Sequence, residues 1–176
     1  VYPNSRNTVV ELDAKLAEYV RDWFDIPKSP RVKIRVGDAG TVTRSFAPAS
    51  RDVVIRDVFA VDKTPAGLTS VDFVREVDHS LAPGGLYILN CGDGPSLDGA
   101  RAEVAALFEV FEQVCLVADA AMLKGRRRGN IIIAASHSPL PAAGSAEAAA
   151  ISRTLMGGGV PAQYRDSAQA RQFARL

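Results

Sequence analysis

A chain of 176 residues, 47% of them hydrophobic, can bury a core of ordinary size, and its length fits one domain. Its 21 basic and 20 acidic residues nearly cancel, so no strong field draws it to nucleic acid or a membrane surface. No apolar run approaches the roughly 18 residues of a membrane span, Val1 to Arg6 does not read as a signal peptide, and a cytoplasmic location is the expectation.

In chain order, "NTVVEL" reads as a strand, and Leu12, Leu16, Tyr19, Val20, Trp23 and Phe24 then recur at helical spacing with Asp13 placed as the cap. Pro27 and Pro30 end that helix, and "RVKIRVGD" and "DVVIRD" are the next two strands. Thr69 with Asp72 three residues later fits a capping box for a helix whose apolar side is Phe73, Val74, Val77 and Leu81, stopped by "APGG". "GLYILNC" is a strand, a helix follows from about Asp98 to Phe111, and "QVCLVA" and "GNIIIAAS" are two more strands. The strands "GLYILNC" and "QVCLVA" hold Cys91 and Cys115, which fit buried reduced thiols.

Strands separated by helices of ten to fifteen residues imply βαβ units and a mostly parallel sheet. Only Asp119 to Arg128 separates the last two strands, too little for an ordinary crossover, so these two are expected to pair antiparallel. After His137 the composition shifts to "PLPAAGSAEAAA" and "GGGVP", with a terminal helix expected over Asp166 to Leu176. The expected division is a nucleoside-binding domain over residues 1–138 and an Ala/Gly-rich tail with possible helices over 139–176.

In an open α/β sheet, ligands sit outside the carboxyl ends of the strands. Three successive strands here run into acid there: Glu11, Asp38 and Asp57. An ionised carboxylate has two acceptor oxygens, so Glu11 suits a ribose diol. Asp38 in "VGDA" can accept from an exocyclic amine while the turn backbone at Ala39 donates to a ring nitrogen. The three acids are expected along one rim, with an adenosine-type molecule between the first two and a cationic reactant at Asp57.

The stretches "VVELDAKLAEYVRDWFDIPKSPRVKIRVGDA", "RDVVIRDVF" and "TSVDFVREVDHSLAPGGLYILN" resemble the spermidine synthase family, within the S-adenosylmethionine-dependent methyltransferase fold. The resemblance runs from about Asn7 to Ser136. It implies a Rossmann-like sheet and ribose and adenine contacts from Glu11 and Asp38. It also implies a catalytic Asp57 that positions and deprotonates the attacking amine, decarboxylated S-adenosylmethionine as co-substrate, a polyamine such as putrescine as acceptor, and a homodimer. Two departures stand out. The family's second loop carboxylate, three residues after the first, is Ala60 here, with Asp62 two residues further on. The first strand and its glycine-rich turn would precede Asn7; the expectation is a chain that continues a longer polypeptide, or that borrows the strand.

Plainer readings compete at each residue. Asp38 alone can stabilise a turn, and Asp57 can form an ordinary ion pair with Arg56 or Lys63. "NCGDGPS" lacks the Lys-Ser/Thr of a P-loop and reads as a strand-to-helix turn. "GRRRG" reads as a solvated hairpin tip. His79 and His137 have no ligand spacing to the cysteines, so no metal site is expected. An S-adenosylmethionine-dependent methyltransferase and a non-catalytic relative are the alternatives to aminopropyl transfer.

Overall fold

The computed structural model describes residues 4–61 and 63–176. The chain folds as two compact units, Val1–Phe46 and Ala47–Leu176.

The first unit is built from β1 (Asn7–Glu11), α1 (Ala14–Trp23), β2 (Val32–Val36) and α2 (Ala39–Arg44). β1 and β2 pair in parallel, with Glu11 opposite Val36. α1 begins as its sequence requires: the Asp13 side chain accepts from the backbone N–H groups of Lys15 and Leu16, satisfying donors that have no partner within the helix. Tyr19 and Trp23, one turn apart, stack at 5.1 Å between ring centroids.

The second unit contains β3 (Arg51–Arg56), a single 3-10 turn (Ala66–Leu68), α3 (Val71–Ser80), β4 (Leu81–Asp93), α4 (Asp98–Phe108), β5 (Gln113–Ala118), α5 (Ala120–Leu123), β6 (Gly129–Ser136), α6 (Ala146–Met156), β7 (Gln163–Arg165) and α7 (Ser167–Ala174). Its sheet has the order β3-β4-β6-β5-β7. β3 and β4 are parallel, and β6 runs antiparallel to both β4 and β5. β3, β4 and β5 therefore point one way while β6 and β7 are reversed. The antiparallel pairing of β5 with β6 agrees with their short connection, which holds only the four-residue α5. Among the described residues, β1 and β2 form a two-stranded sheet of their own.

Side-chain alternation sets the core. Along β4, Tyr87, Leu89 and Cys91 are buried, and Ile88 and Asn90 between them are half-buried. The buried row shares a core with Phe73, Val74 and Val77 of α3 and Val104 and Leu107 of α4. The cap of α3 falls one residue later than its sequence pattern suggests: Ser70, not Thr69, accepts from the N–H of Phe73, and the Thr69 hydroxyl turns to the Ala66 carbonyl. Residues 139–176 add α6, the edge strand β7 and α7. β7 pairs with β5, and α7 packs against α4 with the Arg171 guanidinium 4.0 Å above the Phe108 ring. The Asp166–Gln169 capping box starts α7, with both reciprocal hydrogen bonds formed.

Candidate functional site

Glu11 and Asp38 lie at the carboxyl ends of two paired strands. The Gly37 N–H donates to the Glu11 carbonyl at 2.9 Å, and Asp38 follows directly, so the two acids are neighbours at one end of this sheet. Glu11 Oε1 accepts from the Asp13 N–H at 2.9 Å, which ties the carboxylate to the start of α1. Asp38 caps α2: its Oδ1 accepts from the Thr41 N–H at 2.8 Å and the Thr41 hydroxyl at 2.9 Å. These bonds hold the Asp38 carboxyl below its usual pKa, the backbone bond from Thr41 first, so the group is an anion at neutral pH. Ala39 is the first residue of α2. The turn-stabilising role of Asp38 is therefore present, and one of its oxygens carries it.

Asp57 follows the last residue of β3 in the second unit. Its Oδ1 accepts from Asn90 Nδ2 at 3.0 Å, and Asn90 Oδ1 in turn accepts from Asn130 Nδ2 at 2.9 Å. Asn90 alternates with the buried Cys91, so its amide lies on the sheet face opposite the α4 core. Asn130 stands opposite Gly92 on β6, one diagonal step from Asn90. Side chains from β4, from β6 and from the residue after β3 form one relay at the carboxyl end of β3. Asn90 and Asn130, which the sequence does not single out, hold this carboxylate in place. The available signal was an amide at the outward position of an otherwise apolar strand, "YILNC".

Arg56 corrects one half of the competing ion-pair reading, that with Asp57. It does not pair with Asp57 but points to the opposite side of β3, where it is 4% exposed and bonds to Glu103 of α4 at 2.5 Å. Burial pushes the Glu103 carboxyl above its usual pKa, against the pull of Arg56 and a hydrogen bond with Cys91. Burial likewise pushes the Cys91 thiol far up. The turn "NCGDGPS" is the strand-to-helix turn expected: Asp93 accepts from the Gly94 N–H at 2.7 Å and, with its other oxygen, from the Ala100 N–H at 2.8 Å. A cavity of about 420 Å³ opens beside this turn, with Glu103 and Cys91 among its lining residues, Asp93 and Asp98 from the turn and α4, and Lys63 and Thr64 from the loop after β3. Ala60, in place of the family's second acid, closes a tight turn with Lys63. Asp62 lies outside the described residues. In "GRRRG", Arg127 pairs with Asp119 at 2.6 Å and is largely exposed.

No known family profile matches the chain. The crystal structure of a probable spermidine synthase from Corynebacterium glutamicum is 59% identical, with a TM-score of 0.95 over 98% of this chain and 62% of that one. Human methyltransferase-like protein 13 in complex with SAH is 21% identical, with a TM-score of 0.63 over 99% of this chain and 73% of that one. Among curated proteins, the eEF1A lysine and N-terminal methyltransferase of Mus musculus is 30% identical over 121 residues, 62% of this chain and 17% of that protein. The chain thus spans less than two thirds of the Corynebacterium protein and about a sixth of the curated relative. No helix of the described residues is long and apolar enough to cross a membrane. With this sheet and these neighbours, the chain has the spermidine synthase-like form of the S-adenosylmethionine-dependent methyltransferase fold.

Proposed function

We propose that the chain is part of an aminopropyltransferase that moves the aminopropyl group of decarboxylated S-adenosylmethionine to an amine such as putrescine. The observation that carries this reading is Asp57, a carboxylate at the end of β3 with one oxygen fixed by Asn90. Among the described residues its other oxygen takes no hydrogen bond. The 59% identity to a protein described as a probable spermidine synthase supports the choice of reaction.

An amine is protonated at neutral pH and must lose a proton before it can attack. Asp57 holds the ammonium and accepts that proton. The freed nitrogen lone pair forms a bond to the carbon next to the sulfonium, the carbon–sulfur bond breaks, and its electron pair returns to sulfur, releasing methylthioadenosine. Glu11 binds the ribose hydroxyls, Asp38 the adenine amine, and the Ala39 N–H a ring nitrogen. A cytoplasmic homodimer belongs to the same reading.

Incubation with decarboxylated S-adenosylmethionine and a panel of amines tests it, with methylthioadenosine as the readout. The curated methyltransferase relatives favour a second reading, in which S-adenosylmethionine donates a methyl group. Calorimetric titration with the two donors separates them. Tighter binding of the carboxylated donor, with no methylthioadenosine from any amine, selects methyl transfer.

A further inference from the structure

Arg56 is the last residue of β3, and the loop that begins with Asp57 ends at Leu68. The buried guanidinium holds both ends of that loop. Its Nη1 donates to the Leu68 carbonyl at 2.8 Å, its Nη2 donates to Glu103 at 2.5 Å, and its own backbone is the residue before Asp57. The loop between these points carries Asp57 and supplies Lys63, Thr64 and Ala66 to the 420 Å³ cavity, where Glu103 also stands.

A buried ion pair is by itself a weak source of stability. The cost of taking two ions out of water can exceed what their attraction returns, and an apolar pair of similar size often fills such a space as well or better. Among the described residues the buried Nε of Arg56 has no hydrogen-bond partner, so these groups do not satisfy the whole guanidinium. What the pair does that an apolar pair cannot is bond a carbonyl at the far end of the loop in a fixed direction. We propose that Arg56 and Glu103 form a positioning clamp, which closes the base of the Asp57–Leu68 loop and so fixes the Asp57 carboxylate and the cavity wall beside it. The clamp's effect on turnover rests on the proposed role of Asp57; its effect on the loop does not.

The test compares the wild-type chain with Arg56→Met/Glu103→Leu and with Arg56→Lys, reading thermal midpoint, amide exchange and methylthioadenosine formation. The double variant is expected to melt at or above the wild-type temperature. In this variant the amides of Ala60, Lys63 and Leu68, hydrogen-bonded to the carbonyls of Lys63, Ala60 and Pro65, are expected to exchange about tenfold faster, while those of β4 and β6 are unchanged. Its kcat is expected to fall about tenfold to a hundredfold with KM changed only a few-fold, as for a displaced reacting group. Arg56→Lys keeps one cation near Glu103 but not the fork, and falls between the two. Wild-type exchange in the loop of the double variant overturns the clamp. So does a double variant that fails to fold, or that loses protection in core and loop alike, because the pair is then structural. Faster loop exchange in a protein whose wild type makes no methylthioadenosine keeps the clamp and removes the reading of Asp57.

Discussion

The amide of Asn90 donates to the carboxylate of Asp57 at 3.0 Å, across two parallel neighbouring strands. Because Asn130 holds the Asn90 carbonyl oxygen at 2.9 Å, the Asn90 amide cannot turn over without losing both bonds. The Asp57 carboxylate is thereby oriented by a neutral donor, which brings no charge of its own to compete with a cationic partner.

Replacing Asn90 by Asp tests this orientation. A second carboxylate beside Asp57 disfavours ionisation of either, so the shared proton is held to higher pH. The acid limb of the pH–rate profile should move upward, while Asn90→Leu should lower kcat about tenfold without moving that limb. Profiles of methylthioadenosine release against pH, measured for both variants, check the two outcomes.

The core supplies a stability benchmark. Leu107 is 1% exposed and lies among the buried apolar residues of α4, beside Val104. Truncation to Ala should cost about 3 kcal/mol through lost transfer energy and the cavity left behind. Urea denaturation followed by circular dichroism measures this, and a loss below about 1 kcal/mol means that the site collapses around the smaller side chain.

Cys91 and Cys115 should be inert in the folded protein. Burial raises both thiol pKa values, so the reactive thiolate is scarce at neutral pH. Ellman's reagent is expected to find neither thiol under native conditions and both in denaturant. Rapid native labelling of Cys91 would show that the cavity beside it opens widely in solution.

Much of the second unit was legible because β3, β5 and β6 hold short runs rich in β-branched residues and α3 and α4 repeat their apolar residues at helical spacing. The legible features are local. α2 was not read, since "AGTVTR" combines glycine with β-branched residues and has poor helix propensity; the Asp38 cap and the strand before it impose the turn. β7 is three residues long and is a strand only because β5 offers an edge. The acids at the strand ends could be named from the sequence, whereas the Asn90–Asp57 and Arg56–Glu103 pairs are separated by 33 and 47 residues. Their pairing follows from strand register and from the face each side chain occupies. A run such as "VVIRDVF" does not show that Arg56 turns inward while Asp57 turns out.

His137 gives the fold a pH dependence whose sign can be worked out. Its ring lies between Glu112, bonded to Nδ1, and Asp78, 2.8 Å from Nε2, and packs against Phe111. Burial of the ring lowers its pKa, but the hydrogen bonds and charges of Glu112 and Asp78 outweigh this and raise it above 6.5. Glu112 is lowered from 4.5, chiefly by its hydrogen bond to His137. A raised histidine contributes stability that is complete below the unfolded pKa and is lost as pH rises through the folded one; a lowered carboxylate contributes stability present above 4.5 and lost as pH falls through its folded value. The two contributions overlap at mildly acidic pH, between about 4.5 and 6.5. His137→Gln keeps a hydrogen-bonding side chain but cannot carry charge, so it should flatten this maximum while changing the thermal midpoint little above pH 8. The effect should be small, because the three side chains are partly exposed and solvent and salt screen them. Thermal midpoints from pH 4 to pH 9 at low salt measure it, and an identical pH profile for the variant would mean that the cluster contributes nothing to folding.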